Sequence, residues 1–165
     1  MEYFNGWLIV NSYYNPAKFN SLYKLLEESA EKAGLRFSKW TSDERPTVIG
    51  SQAREPKPSF VLFWDKDVLL AHAMEQSGLR LFNGARALQL ADDKAETALV
   101  LAKAGIPIPD TIPAPTCFPG CKRNAASAEQ AAKILGWPLV IKENKGSFGQ
   151  QVYLANNVRE AERIL

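Results

Sequence analysis

Histidine and cysteine are nearly missing from this chain: its 165 residues include one histidine, His72, and two cysteines, Cys117 and Cys121. A structural zinc site takes four nitrogen or sulfur ligands, so no metal centre is expected here. The two cysteines, four positions apart in a loop-like segment, read as reduced thiols, with a disulfide formed under stress as the alternative. Long apolar runs are missing too. Nothing approaches the roughly 20 residues that cross a bilayer. The opening Met1-Glu2-Tyr3-Phe4-Asn5-Gly6 is acidic and polar, unlike a leader, so a cytoplasmic protein is expected. No block of one charge occurs, because 20 basic and 18 acidic residues are spread along the chain to a net charge of +2. Neither nucleic acid nor a membrane surface is therefore an expected partner. The phosphate loop with lysine after its second glycine is absent, and so is the dinucleotide fingerprint, since Ser12 to Pro16 holds no glycine. What is present, 46% hydrophobic and 23% charged residues, suits a globular domain or one domain plus part of another.

In the first half, apolar patterning alternates between strand and helix. Trp7 to Asn11 reads as a buried parallel strand, and Phe19, Leu22, Tyr23, Leu26, Ala30 and Ala33 as a helix ending at Gly34. Leu35 to Trp40 and Phe60 to Trp64 predict two further strands, Val68 to Glu75 a helix stopped near Gly78, and Leu79 to Phe82 a short strand. Prolines 46, 56 and 58 break the segment Thr41 to Ser59. Such βαβ order implies an α/β fold with a parallel sheet and helices on both faces. A new unit is expected from Ala91. Asp92 and Asp93 open a helix running to Gly105, and Thr111 to Ala114 predicts a strand. Ser127, with Gln130 three residues on, predicts a capped helix to Gly136; strands over Pro138 to Lys142 and Gln151 to Ala155 and a helix from Val158 follow. No internal repeat occurs.

Three stretches carry chemistry. Lys145-Gly146-Ser147-Phe148-Gly149 joins two strands, and its glycines permit backbone N–H groups to turn together toward an anion, with Lys142 just before it. A plain glycine hairpin is the structural reading of the same residues. Lys94 begins a helix behind two aspartates, where its charge opposes the helix dipole, so it is either a ligand-directed or a solvated lysine. Trp64-Asp65-Lys66-Asp67 follows a strand at the carboxyl end of the sheet, where ligands bind in open α/β folds, or else is an acidic helix N-terminus.

Taken in order, "LFNGARALQLADDKAETALVLAKAGIPIPDT" and "GWPLVIKENKGSFGQQVYLANN" resemble the ATP-grasp superfamily, in its RimK-like branch of ribosomal-protein glutamate ligases and glutathione synthetase relatives. "GWLIVNSYYNPAKFNSLYKLLEESAEKAGLRF" is similar to the βαβ domain that precedes the grasp. The resemblance implies a Rossmann-like pre-ATP-grasp domain over 1–90 and the first, small α+β grasp subdomain over 91–165, with a helix between the strand ending at Asn83 and Asp93-Lys94. It implies that Lys94 and Lys142 reach nucleotide phosphates and that Gly146, Ser147 and Gly149 close over them. Tyr13, Tyr14, Asn15, Trp64 and Asp65 become candidates for the substrate lining. One departure stands out: Gln150-Gln151 occupies a place where relatives commonly have glycine. The implied chemistry is ATP-dependent carboxylate–amine ligation through an acylphosphate, with Mg2+ bridging the phosphates. On this reading the metal ligands lie in a second subdomain beyond Leu165. The chain is then an N-terminal portion, inactive alone, whose uncovered apolar surface favours self-association. The alternative is a non-catalytic nucleotide- or partner-binding α/β protein with a degenerate grasp, which Gln150-Gln151 favours.

Overall fold

A computed structural model describes residues 4–14, 17–53, 56–118, 120, 126–146 and 149–165. Asn15, Cys121 and Ser147 lie outside the described residues. The chain divides into two compact units, Met1–Gln89 and Leu90–Leu165.

The first unit is built on four parallel strands, β1 (Phe4–Val10), β2 (Leu35–Thr41), β3 (Phe60–Trp64) and β4 (Leu81–Phe82), in the order β2-β1-β3-β4. β1 lies inside the sheet, so both of its faces are covered, and Leu8, Ile9 and Val10 are almost wholly buried. Helix α1 (Lys18–Lys32) presents Phe19, Tyr23, Leu26 and Ala30 at alternating four- and three-residue spacing. Tyr23 packs with Leu8 and Val10, and Phe19, Leu26, Phe37 and Leu62 surround them. On the opposite face, Ile9, Val61 and Phe63 pack with Ala71 and Met74 of α2 (Val68–Gln76) and with Ala85 of α3 (Ala85–Asp92). Gly6 faces Phe60 across the β1–β3 register, and a Cβ there would meet the Phe60 ring at 2.5 Å, so the ring takes the place of a side chain.

β1 begins three residues earlier than expected, and β4 is reduced to its last two residues, although Leu79 still joins the core. No helix occurs among the described residues between β2 and β3. Instead, the guanidinium of Arg45 stacks 3.5 Å from the Trp40 ring and 4.5 Å from the Trp7 ring, covering sheet surface that a crossover helix would ordinarily cover. Arg45→Ala is expected to lower the stability of this unit by about 1–2 kcal/mol, read as a fall in the urea midpoint at unchanged slope. A change below about 0.3 kcal/mol would show the stack to be energetically idle.

The second unit contains α4 (Lys94–Lys103), α5 (Ala126–Leu135), the antiparallel pair β5 (Leu139–Lys142) and β6 (Val152–Ala155), and α6 (Val158–Ile164). Ala128, Leu139, Ala155 and Ala161 form its core, with Ile141 and Ile164 against it, so the helices cover one face of the hairpin. Thr111 to Ala114 is not a strand. Pro113 lacks an N–H, and an extended segment without a ladder partner remains coil. Ser127 does not cap α5, because the helix already includes Ala126 and places Ser127 within its first turn; Gln130 instead accepts from Lys133 Nζ at 3.3 Å. No residue of α4 is buried, and its Leu99 is 69% exposed.

Candidate functional site

In the second unit, Lys94 meets the glycine loop and Lys142 stands just before it at the end of β5. Lys142 ends β5 opposite Val152 and is exposed. Strand alternation places it on the same face as Val140, Val152 and Leu154, which are 56%, 41% and 57% exposed. This is the face opposite the helices, and it offers a flat apolar surface with a cation at its edge. Lys94 is the first residue of α4, and its backbone N–H donates to the Asn144 carbonyl at 3.0 Å. Its Nζ lies 3.4 Å from the Asn144 carbonyl and 3.3 Å from that of Gly146. An ammonium has three N–H donors, so these two carbonyls leave one for an anion.

Asn144, which carried no signal in the sequence reading, clamps the loop to the helix. Its Oδ1 accepts from the Ala95 N–H at 2.9 Å, and its Nδ2 donates to Asp93 Oδ2 at 2.6 Å. Asp93 caps α4 by accepting from the Glu96 N–H at 2.8 Å, and Asp93 and Lys145 form an isolated bridge. The Glu96 amide first, and then the Asn144 amide, hold the Asp93 carboxyl below the usual carboxylate range. The charge at the root of the loop is thereby kept ionised. Across the hairpin, the Glu143 N–H donates to the Gln151 carbonyl at 3.0 Å. The Gln151 side chain occupies the space where a Cβ on Gly146 would fall, 2.5 Å from its Oε1. Gln151 therefore packs the loop base. Gly149, at φ 71°, has nothing within 4 Å of its Cβ position.

The first unit gathers polar groups at the carboxyl ends of its strands. Asp65 is 7% exposed, and its Oδ1 accepts from Asn11 Nδ2 at 2.9 Å. Asn11 Oδ1 accepts from the Tyr13 and Tyr14 N–H groups at 2.9 and 2.7 Å, which bends the chain after β1. Tyr14 stands edge-on to Phe19 at 5.9 Å, while Tyr13 is 93% exposed and Trp64 40%. Asp67, not Asp65, caps α2 by accepting from the Leu70 N–H at 2.9 Å, so only part of the acidic stretch is explained as a helix start. Burial raises the Tyr23 phenol pKa, and the Asp65 charge adds to that rise. Asn11 entered the sequence reading only as the end of the first strand and not as a site residue. The available signal was its place immediately after the apolar run Trp7 to Val10, whose parallel neighbour β3 ends at Trp64, just before Asp65.

Among the described residues no three His, Cys, Asp or Glu side chains stand together to hold a metal ion, and no helix is long and apolar enough to cross a membrane. Cys117 is an exposed free thiol.

Residues 91–165 match the profile of the RimK-like ATP-grasp domain. The uncharacterized protein MG012 homolog of Mycoplasma pneumoniae is 28% identical, over 94% of this chain and 57% of its own length. Beta-citrylglutamate synthase B of Mus musculus is 32% identical, over 75% of this chain and 30% of its own length. Among solved structures, a RimK domain ATP-grasp protein from Sphaerobacter thermophilus superposes with a TM-score of 0.72 at 20% identity, covering 97% of this chain and 56% of that one. The chain thus spans between about a third and rather more than half of these proteins. Over residues 91–165 the chain is thus similar to the RimK-like ATP-grasp domain, and its likeness to the solved RimK domain structure shows a shared fold.

Proposed function

We propose that this chain is the N-terminal part of an ATP-dependent carboxylate–amine ligase and that its second unit holds the nucleotide phosphates. The observation that carries this reading is Lys94 Nζ docked on the carbonyls of the glycine loop, which Lys142 directly precedes in the chain. Two ammonium groups and glycine N–H donors form a receptor for a polyanion, and the bare face of Val140, Val152 and Leu154 suits a planar apolar base.

In the ligation, a carboxylate oxygen attacks the γ-phosphorus of ATP, the bond to the β-phosphate oxygen breaks, and ADP leaves. An amine nitrogen then attacks the acyl carbon of the acylphosphate, inorganic phosphate departs with its oxygen, and the nitrogen loses a proton. In these steps Lys94 and Lys142 hold and neutralise phosphate charge, and Asn144 keeps Lys94 beside the loop. Among the described residues no three His, Cys, Asp or Glu side chains stand together to hold a metal, and no step is assigned to one. The carboxylate and amine are small molecules, with glutamate the favoured amine after the product named in the mouse relative.

Titration of ATP into the 15N-labelled chain tests the site. Saturable shifts at Lys94, Asn144, Gly146 and Gly149 are expected, with smaller ones from AMP, which lacks the outer phosphates. Equal responses to ATP and AMP, or shifts elsewhere only, would remove the phosphate assignment.

A further inference from the structure

We propose that the carboxyl-terminal edge of the first sheet is a binding site for a primary ammonium group, received by the second carboxylate oxygen of Asp65. Its identification with the amine substrate rests on the ligase reading above; the ammonium site itself does not.

The register assembles the edge. Val10 pairs with Thr41 on one side and with Trp64 on the other, so the next residues, Asn11, Ser42 and Asp65, leave three adjacent strands side by side. In the order β2-β1-β3-β4 the chain leaves β1 toward one edge and returns on its other side at β3, the arrangement whose carboxyl-end crevice takes ligands in open α/β sheets.

Asp65 is the side chain in this crevice that internal bonding leaves unfinished. Its Oδ1 accepts from Asn11 Nδ2 at 2.9 Å and from the Lys66 N–H at 2.6 Å. Its Oδ2 is buried and accepts nothing. A carboxylate accepts about four hydrogen bonds, and a buried charged oxygen without a donor is more costly than a neutral one. Asn11 holds the group in place, because its own Oδ1 is tied to the Tyr13 and Tyr14 N–H groups.

The chemistry selects the ligand. An unfilled anionic acceptor calls for a cationic donor. A divalent metal takes six or more oxygens, and the described residues gather no set of acidic or other ligands around Asp65. A guanidinium prefers both oxygens of a carboxylate, and here Oδ1 is already engaged. An ammonium needs one oxygen, and it gains from aromatic faces, which the partly exposed Trp64 and Tyr14 supply at the same edge. Asp43 adds negative charge there: Ser12 Oγ donates to it at 2.6 Å, and the Ser12 and Thr41 hydroxyls hold it ionised below the usual carboxylate range.

The test compares two probes on the labelled 165-residue chain, L-alaninamide, which carries an ammonium and no carboxylate, and N-acetyl-L-alaninamide, which carries neither. Alaninamide is expected to give saturable shifts of the Asn11, Ser12 and Lys66 amides with a Kd on the order of 10 mM or tighter, and the acetylated probe none. Asp65→Asn, which keeps the shape and an acceptor for Asn11, is expected to weaken the alaninamide response at least tenfold at unchanged thermal midpoint. Equal shifts from both probes, or none from either, would overturn the proposal, and this comparison needs no variant to fold. The ATP titration reports on residues 94–149 and is read separately. Loss of that response with the ammonium response retained would remove the ligase reading and leave this site standing.

Discussion

Phe63→Ala is expected to destabilise the first unit by about 3–5 kcal/mol, a large share of the ~5–15 kcal/mol that holds an ordinary domain together. Phe63 is 1% exposed and is the largest side chain wholly inside the sheet's helix-covered face, in one cluster with Ile9, Met74 and Leu81. Truncation removes the ring's transfer free energy and also leaves a cavity. Strands 61–63 and 8–10 are locked in register and cannot move inward to fill it. Urea denaturation followed by tryptophan fluorescence, which reads Trp7 and Trp40 next to this cluster, measures the effect. A loss under about 1.5 kcal/mol would mean that the face collapses freely and that the core is not organised around Phe63.

Much of this fold was legible because its signals are local. The α1 stripe of Phe19, Tyr23, Leu26 and Ala30 has helical period, and the five residues of β3 are apolar on both faces, as an interior parallel strand requires. Failures came where the outcome depends on distant partners. Ile112, between prolines, has the local preference of a strand but no neighbour to pair with. Arg45 carried no motif, yet it stacks on Trp7, 38 positions away. Helix α3 was expected from family likeness and not from its own residues, since Ala-Arg-Ala-Leu-Gln-Leu-Ala-Asp spans only eight residues, too few for its amphipathic pattern to stand out in the sequence.

The candidate sites divide in the same way. Lys94, Lys142 and the glycines could be singled out by residue type and order. Asn144 could not, because an asparagine before a glycine loop is ordinary turn chemistry, and its function exists only through Asp93 and Ala95, about 50 positions earlier. The Asn11–Asp65 pair spans 54 positions and follows from the parallel register alone. A reader who aligned the ends of β1 and β3 would have found it.

The double substitution Lys94→Ala with Lys142→Ala is expected to lower the affinity of this chain for ATP more than 100-fold, about 2.7 kcal/mol, with each single change costing tenfold or more. One cation is docked on the loop and the other directly precedes it, and neither forms an ion pair with a carboxylate among the described residues, so their charge is available to phosphate. The two effects need not add. Lys94 also braces the loop through the Asn144 and Gly146 carbonyls, so its loss can displace the donors that Lys142 works with, and a coupling of about 0.5–3 kcal/mol is expected from a double-mutant cycle. Lys103→Ala, at the far end of α4, is the control and should leave affinity unchanged while altering net charge as much as either single change. Raising the salt concentration should weaken wild-type binding more than that of the double variant, because exposed charge pairs are screened and the variant has lost two of them. Thermal unfolding of each variant separates loop support from phosphate contact. A single Lys142→Ala change with an intact thermal midpoint and unaltered ATP affinity would remove that lysine from the site, and the same result at Lys94 would leave the glycine loop a plain hairpin.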